Sequence, residues 1–157
     1  MQNRIKILFV CHGNICRSPM ASYIMRDLVN RRHLAEQFEI DSAATSMEEI
    51  GNPVYPPAKR KLREHGIRAE GHHARRMEPR DYQRYDYLIG MEQFNIRNMI
   101  RILGSDPENK VYRLLDFSER PRDIEDPWYT DDFDTAYRDI LEGCEALLET
   151  LQREGKC

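Results

Sequence analysis

Near the start of the 157-residue chain, the thiol of Cys11 and the guanidinium of Arg17 have the types and spacing for covalent phosphoryl chemistry. A thiol near a helix N-terminus or a cation ionises more readily than a free one, and the thiolate is the attacking form. A guanidinium binds two oxygens of a phosphate at once with its planar fork. Those oxygens gather charge during transfer, so donors held there favour the transition state. Gly13 permits a backbone turn between them. Asn14 tolerates the left-handed conformation and can bond the loop's own backbone. Ser18 can donate to the Cys11 sulfur, steadying it as nucleophile and as leaving group.

A second chemical stretch is Ile124-Glu125-Asp126-Pro127-Trp128-Tyr129. The Asp-Pro step holds Asp126 extended at a rigid turn. Ester cleavage needs an acid to protonate the departing oxygen. A carboxylate that is partly desolvated beside a phosphate dianion tends to keep its proton. Trp128 and Tyr129 could form a slot for a phenol ring, where depth and shape separate phosphotyrosine from phosphoserine.

Both stretches need a frame. Ile5 to Val10 reads as a buried parallel strand, and Met20 to Val29 as a helix. A strand, a short loop and a helix N-terminus make an anion site, since loop N–H groups converge and the helix dipole adds positive charge. Phe38 to Ala43, Tyr87 to Met91 and Val111 to Leu115 read as further strands. Between and after them come helical stretches at Pro56–His65, Glu92–Leu103 and Asp132–Leu151, with a short helix or turn from Pro79. The first strand, helix and second strand imply a right-handed crossover. The expectation is an α/β fold: a single-domain open, twisted, four-stranded parallel sheet with helices on both faces, Rossmann-like. The catalytic loop then lies at a strand's C-terminal end, where such sheets bind ligands. Cys144 falls on the apolar stripe of the last helix and reads as core; Cys157 reads as a thiol on a frayed tail.

The length suits one domain with a full core, residues 1–157. Lys and Arg total 24 against 27 Asp and Glu, a net charge of −3, which carries no nucleic-acid footprint. No signal-peptide pattern and no long apolar run suggest export or a membrane span, so a cytoplasmic, reduced chain is expected. His72 and His73 do not read as metal ligands, because neighbours point apart and no third ligand sits at useful spacing.

Cys-x5-Arg alone is a weak pattern, and a cysteine after an apolar strand is more often core than nucleophile. The match here is longer. Cys11-His12-Gly13-Asn14-Ile15-Cys16-Arg17-Ser18-Pro19 resembles the signature of the low-molecular-weight protein tyrosine phosphatases, with His12 at the variable position. Ser42-Ala43-Ala44-Thr45-Ser46, Ile50-Gly51-Asn52-Pro53 and Asp126-Pro127 with its aromatics also resemble that family, in its order, so the likeness spans Ile5 to Leu151. It implies the phosphotyrosine phosphatase I type of fold. It also implies Cys11 as nucleophile, Arg17 as phosphate clamp and Asp126 as general acid and base, with no metal and no cofactor. His12, Gly13, Asn14, Ile15, Cys16 and Ser18, with Trp128 and Tyr129, would bind the substrate, a tyrosine-phosphorylated protein. Phosphate would be product and competitive inhibitor. His72 resembles a histidine that bonds the loop asparagine, the alternative being a surface pair with His73. Cys16 would trap oxidised Cys11 as a disulfide, or else simply pack as a small apolar residue. Glu48 departs from the family, many of whose members carry an aromatic residue there; it is a changed pocket wall or a solvated loop residue.

Three other readings share features. Arsenate reductases on this fold need two further cysteines in the middle region, and residues 80 to 100 contain none. Protein-arginine phosphatases carry Thr where Ile15 stands, and isoleucine methyls suit a tyrosine ring. A phosphotyrosine-binding module without turnover would lose Cys11 or Asp126, and both are present.

Overall fold

The computed structural model describes residues 3–157. The chain runs β1 (Ile5–Cys11), α1 (Arg17–Arg31), β2 (Phe38–Ala44), α2 (Pro56–Glu64), α3 (Asp81–Arg84) and β3 (Tyr87–Gly90). It continues through α4 (Gln93–Leu103), β4 (Val111–Arg113), α5 (Pro127–Thr130) and α6 (Phe133–Arg153). The four strands form one sheet in the order β2-β1-β3-β4, every pair parallel.

Alternation along β1 decides how the sheet is covered. Ile7, Phe9 and Cys11 turn to one face, and Leu8 and Val10 to the other, and all five are buried. The first set packs with Met20 and Ile24 of α1 and with Ile140, Cys144 and Leu147 of α6. The second packs with Tyr82, Leu88 and Met99. Burying one such aliphatic side chain is worth about 1.5–3 kcal/mol, so β1 is held from both sides. Helix α6 contributes a stripe at helical spacing, Phe133, Tyr137, Ile140, Cys144, Leu147, Leu148 and Leu151, all buried. Gly143 lets it approach the turn at Leu114, where an added Cβ would lie 2.4 Å from Leu114 Cγ.

Helix α1 begins three residues earlier than the apolar pattern suggested, at Arg17. Pro19 still lies in its first turn, where a missing N–H costs no helical bond. The consequence is functional: Arg17 and Ser18 belong to a rigid helix rather than to a loose loop. Strand β4 stops at Arg113, short of the expected Leu115, because Leu114 and Leu115 are both fully buried. A strand alternates its side chains between faces, whereas the tight 3-10 turn over Leu114–Phe117 buries both neighbours. Cys157 is not a frayed end. It packs partly buried against the core, and Lys156 ties the tail down by donating from Nζ to the Tyr87 hydroxyl at 2.8 Å. Among the described residues, no helix is long and apolar enough to cross a membrane.

Strand order places β1 between β2 and β3, so the loop after β1 opens at the crevice beyond the strands' C-terminal ends. The turn after β3 opens on the same crevice, and Ile124 N donates to Met91 O at 2.9 Å, drawing in the segment before α5.

Candidate active site

Residues 12–16 form a loop whose carbonyls are tied outward. Cys11 O accepts from Thr45 N at 2.9 Å, His12 O from Ser46 N at 3.0 Å and Ile15 O from Tyr55 N at 2.9 Å. Among the described residues, no N–H of Gly13, Asn14, Ile15 or Cys16 donates to a protein acceptor. Such a run of free N–H groups beside a helix start is an anion cradle.

Asn14 is the strained residue, with φ 59°, in the left-handed region. Gly13, expected to supply the turn, does not take a positive φ; a Cβ there would meet Glu49 Cγ at 3.5 Å. Asn14 is held from several sides. Its Oδ1 accepts from Arg75 N at 3.1 Å, its Nδ2 donates to Ser18 Oγ at 2.8 Å, and its carbonyl meets His72 Nε2 at 2.8 Å. Burial lowers the His72 pKa more than the bond to Asn14 raises it, so the ring is neutral near pH 7 and Nε2–H donates. Because Asn14 donates to Ser18 Oγ, that hydroxyl has its proton to give, to the Cys11 sulfur 3.0 Å away or to Ala43 O at 3.4 Å, and the sulfur is the nearer acceptor. Ser18 N lies 3.4 Å from the same sulfur.

Arg17 is 2% exposed. Its Nη1 donates to Ile124 O at 2.8 Å and to Glu92 Oε2, and its Nη2 lies 3.3 Å from Asp126 Oδ2. Burial works against the guanidinium charge, but Cys11, Asp126 and Glu92 outweigh it and raise the Arg17 pKa. Glu92 is one of the residues that sequence reasoning missed, with Glu49 and Tyr55. The available signal for Glu92 was a carboxylate directly after a buried strand, at the N-terminus of the following helix.

Asp126 is the N-cap of α5, its Oδ1 accepting from Trp128 N at 3.0 Å, with Pro127 opening the helix. The other carboxylate oxygen is thereby left facing Arg17. The Trp128 ring packs on Tyr55 at 4.8 Å between centroids, so Tyr55, unremarked in the sequence, braces the segment that carries Asp126.

One pocket gathers Cys11, His12, Gly13, Ile15, Cys16, Arg17, Asp126, Trp128 and Tyr129. Asn14, Ser18 and His72 are not among its lining residues; they are bonded to one another, Asn14 to both Ser18 and His72, and support the loop. Glu48 and Glu49 also line the pocket, Glu48 bonded to His12 Nε2 at 2.9 Å. Cys16 also faces the pocket, and burial first, then Cys11 and Asp126, push its thiol pKa well above the usual value.

A family model described as low molecular weight phosphotyrosine protein phosphatase matches residues 6–157. The chain is 40% identical over 152 residues to the low molecular weight protein-tyrosine-phosphatase YfkJ of Bacillus subtilis, covering 96% of this chain and 97% of that one. The crystal structure of YfkJ superposes with a TM-score of 0.94, covering 97% of each chain. The human low molecular weight phosphotyrosine protein phosphatase is 36% identical, over 91% of this chain and 93% of its own. The structure of DARP, a Drosophila arginine phosphatase, gives a TM-score of 0.84 at 32% identity, over 93% of this chain and 97% of that one.

Proposed function

Because the chain belongs to the low molecular weight phosphotyrosine protein phosphatase family, we propose that it hydrolyses phosphotyrosine in proteins by double displacement at Cys11. The observation that carries this reading is the convergence of Cys11, Arg17 and Asp126 on one pocket, with Arg17 Nη2 3.3 Å from Asp126 Oδ2. The phosphoryl oxygens sit in the cradle of loop N–H groups and on the Arg17 fork. The Cys11 thiolate forms the S–P bond as the P–O bond to tyrosine breaks, and Asp126 gives its proton to the departing oxygen. Asp126 then takes a proton from water, which attacks phosphorus, and inorganic phosphate leaves as the thiolate is restored. Phosphate competes for the same cradle. Ser18 steadies the sulfur in both steps, while Asn14 and His72 hold the loop in shape.

A side-by-side assay of phosphotyrosine, phosphoserine and phosphoarginine peptides tests the reading. Phosphotyrosine should lead, because Ile15, Trp128 and Tyr129 line a slot that a flat ring reaches across and a short serine stem does not. Ile15→Thr should move preference toward phosphoarginine, since it replaces ring-packing methyl surface with a hydroxyl; that discrimination is worth about 1–3 kcal/mol. An unchanged ratio of specificity constants would assign the choice to the aromatic pair.

Cys16 adds a redox expectation. Peroxide converts Cys11 to a sulfenic acid, and the Cys16 thiol condenses with it, forming a disulfide and releasing water. Dithiothreitol should then restore activity, and Cys16→Ser should recover less, as Cys11 proceeds to the sulfinic acid. Burial holds the Cys16 thiol above its usual pKa whatever the state of Cys11, and below that pKa its thiolate fraction grows about tenfold per pH unit, so protection should improve from pH 6 to 8. Peptide mapping after brief peroxide treatment decides; full recovery of Cys16→Ser, with no linked Cys11–Cys16 peptide in the parent, would leave Cys16 as packing alone.

A further inference from the structure

The exposed large apolar side chains among the described residues are Met47, Ile50, Phe94, Trp128 and Tyr129. All five belong to the three segments around the pocket mouth. Trp128 and Tyr129 line the pocket itself, Phe94 lines the adjoining cleft with His12 and Tyr129, and Met47 and Ile50 are the chain neighbours of Glu48 and Glu49, which line the pocket. Tyr129 is 82% exposed at the edge of a site that its own protein leaves uncovered. Apolar surface gathered at one place, rather than scattered singly, marks an interaction surface.

The charge of the rim says what kind of segment suits it. Of the residues lining the mouth and the adjoining cleft, the only Lys or Arg is Arg17, which is buried and turned to Glu92, Ile124 O and Asp126. Against it stand carboxylates that no described Lys or Arg answers. Glu48 meets only the His12 ring, Glu49 only the Asn52 amide, and Glu125 is exposed without an ion-pair partner. The pocket floor thus attracts a phosphate dianion while its rim repels further negative charge and attracts positive charge.

Resting on the phosphotyrosine reading above, we propose that the rim selects substrates whose phosphotyrosine is flanked by lysine or arginine. The aliphatic stems of these residues lie along Trp128, Tyr129 and Phe94 while their charged ends reach Glu48, Glu49 and Glu125. Long basic side chains suit a surface that is both apolar and acidic; acidic flanking residues meet like charge at the same places.

The test compares kcat/KM for three phosphotyrosine peptides of equal length, flanked by lysines, by uncharged polar residues and by glutamates, with a phosphoarginine peptide alongside. At an ionic strength of about 0.01 M the lysine peptide should exceed the glutamate peptide by roughly tenfold, and the gap should close near 1 M as screening shortens to about 3 Å. The Glu48→Gln, Glu49→Gln double variant should shrink the lysine-to-glutamate ratio. Equal constants for the three phosphotyrosine peptides, or a ratio indifferent to salt, would overturn the proposal. So would a rim covered by a second copy of the chain, seen as concentration-dependent dimerisation in sedimentation with no peptide preference. Turnover of phosphoarginine with none of any phosphotyrosine peptide would overturn the underlying reading and this inference with it.

Discussion

Cys11→Ser is expected to abolish turnover while phosphate esters still bind. A hydroxyl is far less ionised than a thiol near pH 7, so the serine variant presents almost no nucleophilic anion. The cradle does not depend on the sulfur. The loop carbonyls remain tied to Thr45, Ser46 and Tyr55, Asn14 remains locked by Arg75 and His72, and Arg17 keeps its bonds to Glu92 and Ile124. Cys11 is only 3% exposed, and serine is the smaller side chain, so the fold should tolerate it. Single-turnover kinetics with a chromogenic aryl phosphate measures the loss, and equilibrium binding of phosphotyrosine measures what remains. Appreciable turnover in a contaminant-free preparation would remove Cys11 from the nucleophile's role.

Asp126→Ala should slow substrates in proportion to how poorly their leaving groups depart. A phenolate with a low pKa leaves without a proton, whereas tyrosine does not, and a positioned general acid contributes about 10²–10⁴-fold. The variant should therefore lose most of its rate on phosphotyrosine and little on activated aryl phosphates, giving a steeper dependence on leaving-group pKa. Asp126 also caps α5 through Trp128 N, so the alanine variant loses a cap worth about 0.5–2 kcal/mol. Asp126→Asn separates the two roles. Its side-chain oxygen can still accept from Trp128 N, but it has no acidic proton to give, so the leaving-group dependence should stay steep. Equal losses across the leaving-group series would show Asp126 to be structural.

Local pattern carried much of this molecule. The alternation of Ile7, Phe9 and Cys11 with Leu8 and Val10 was visible as a continuous apolar run, and both sheet faces are indeed covered. The stripe on α6 was visible at helical spacing, and with it the burial of Cys144. These features depend on neighbours within a few residues, and so does the pairing of loop and helix that makes the anion cradle. Local pattern was weakest where an element ends. It ran β4 on through Leu114 and Leu115, and it left Cys157 frayed when the tail packs back beside Tyr87. An ending is decided by whatever lies across the contact.

The sequence by itself determined the chemical inventory: a thiol and a guanidinium six residues apart, an Asp-Pro segment with its aromatics, and an alternation of strands and helices that puts the loop at the C-terminal end of a strand. Only the tertiary structure decided their partners. Arg17 lies between Glu92, which follows β3, and Asp126, which precedes α5; the strand order and the Ile124–Met91 bond bring both to it. Asn14 is held in its left-handed conformation by His72 and Arg75, and Trp128 is braced by Tyr55. The reason is physical. Backbone propensity and hydrophobic period act over one or two turns of chain, whereas a charge or a donor takes its partner from whichever segment the packed layers bring within hydrogen-bond reach.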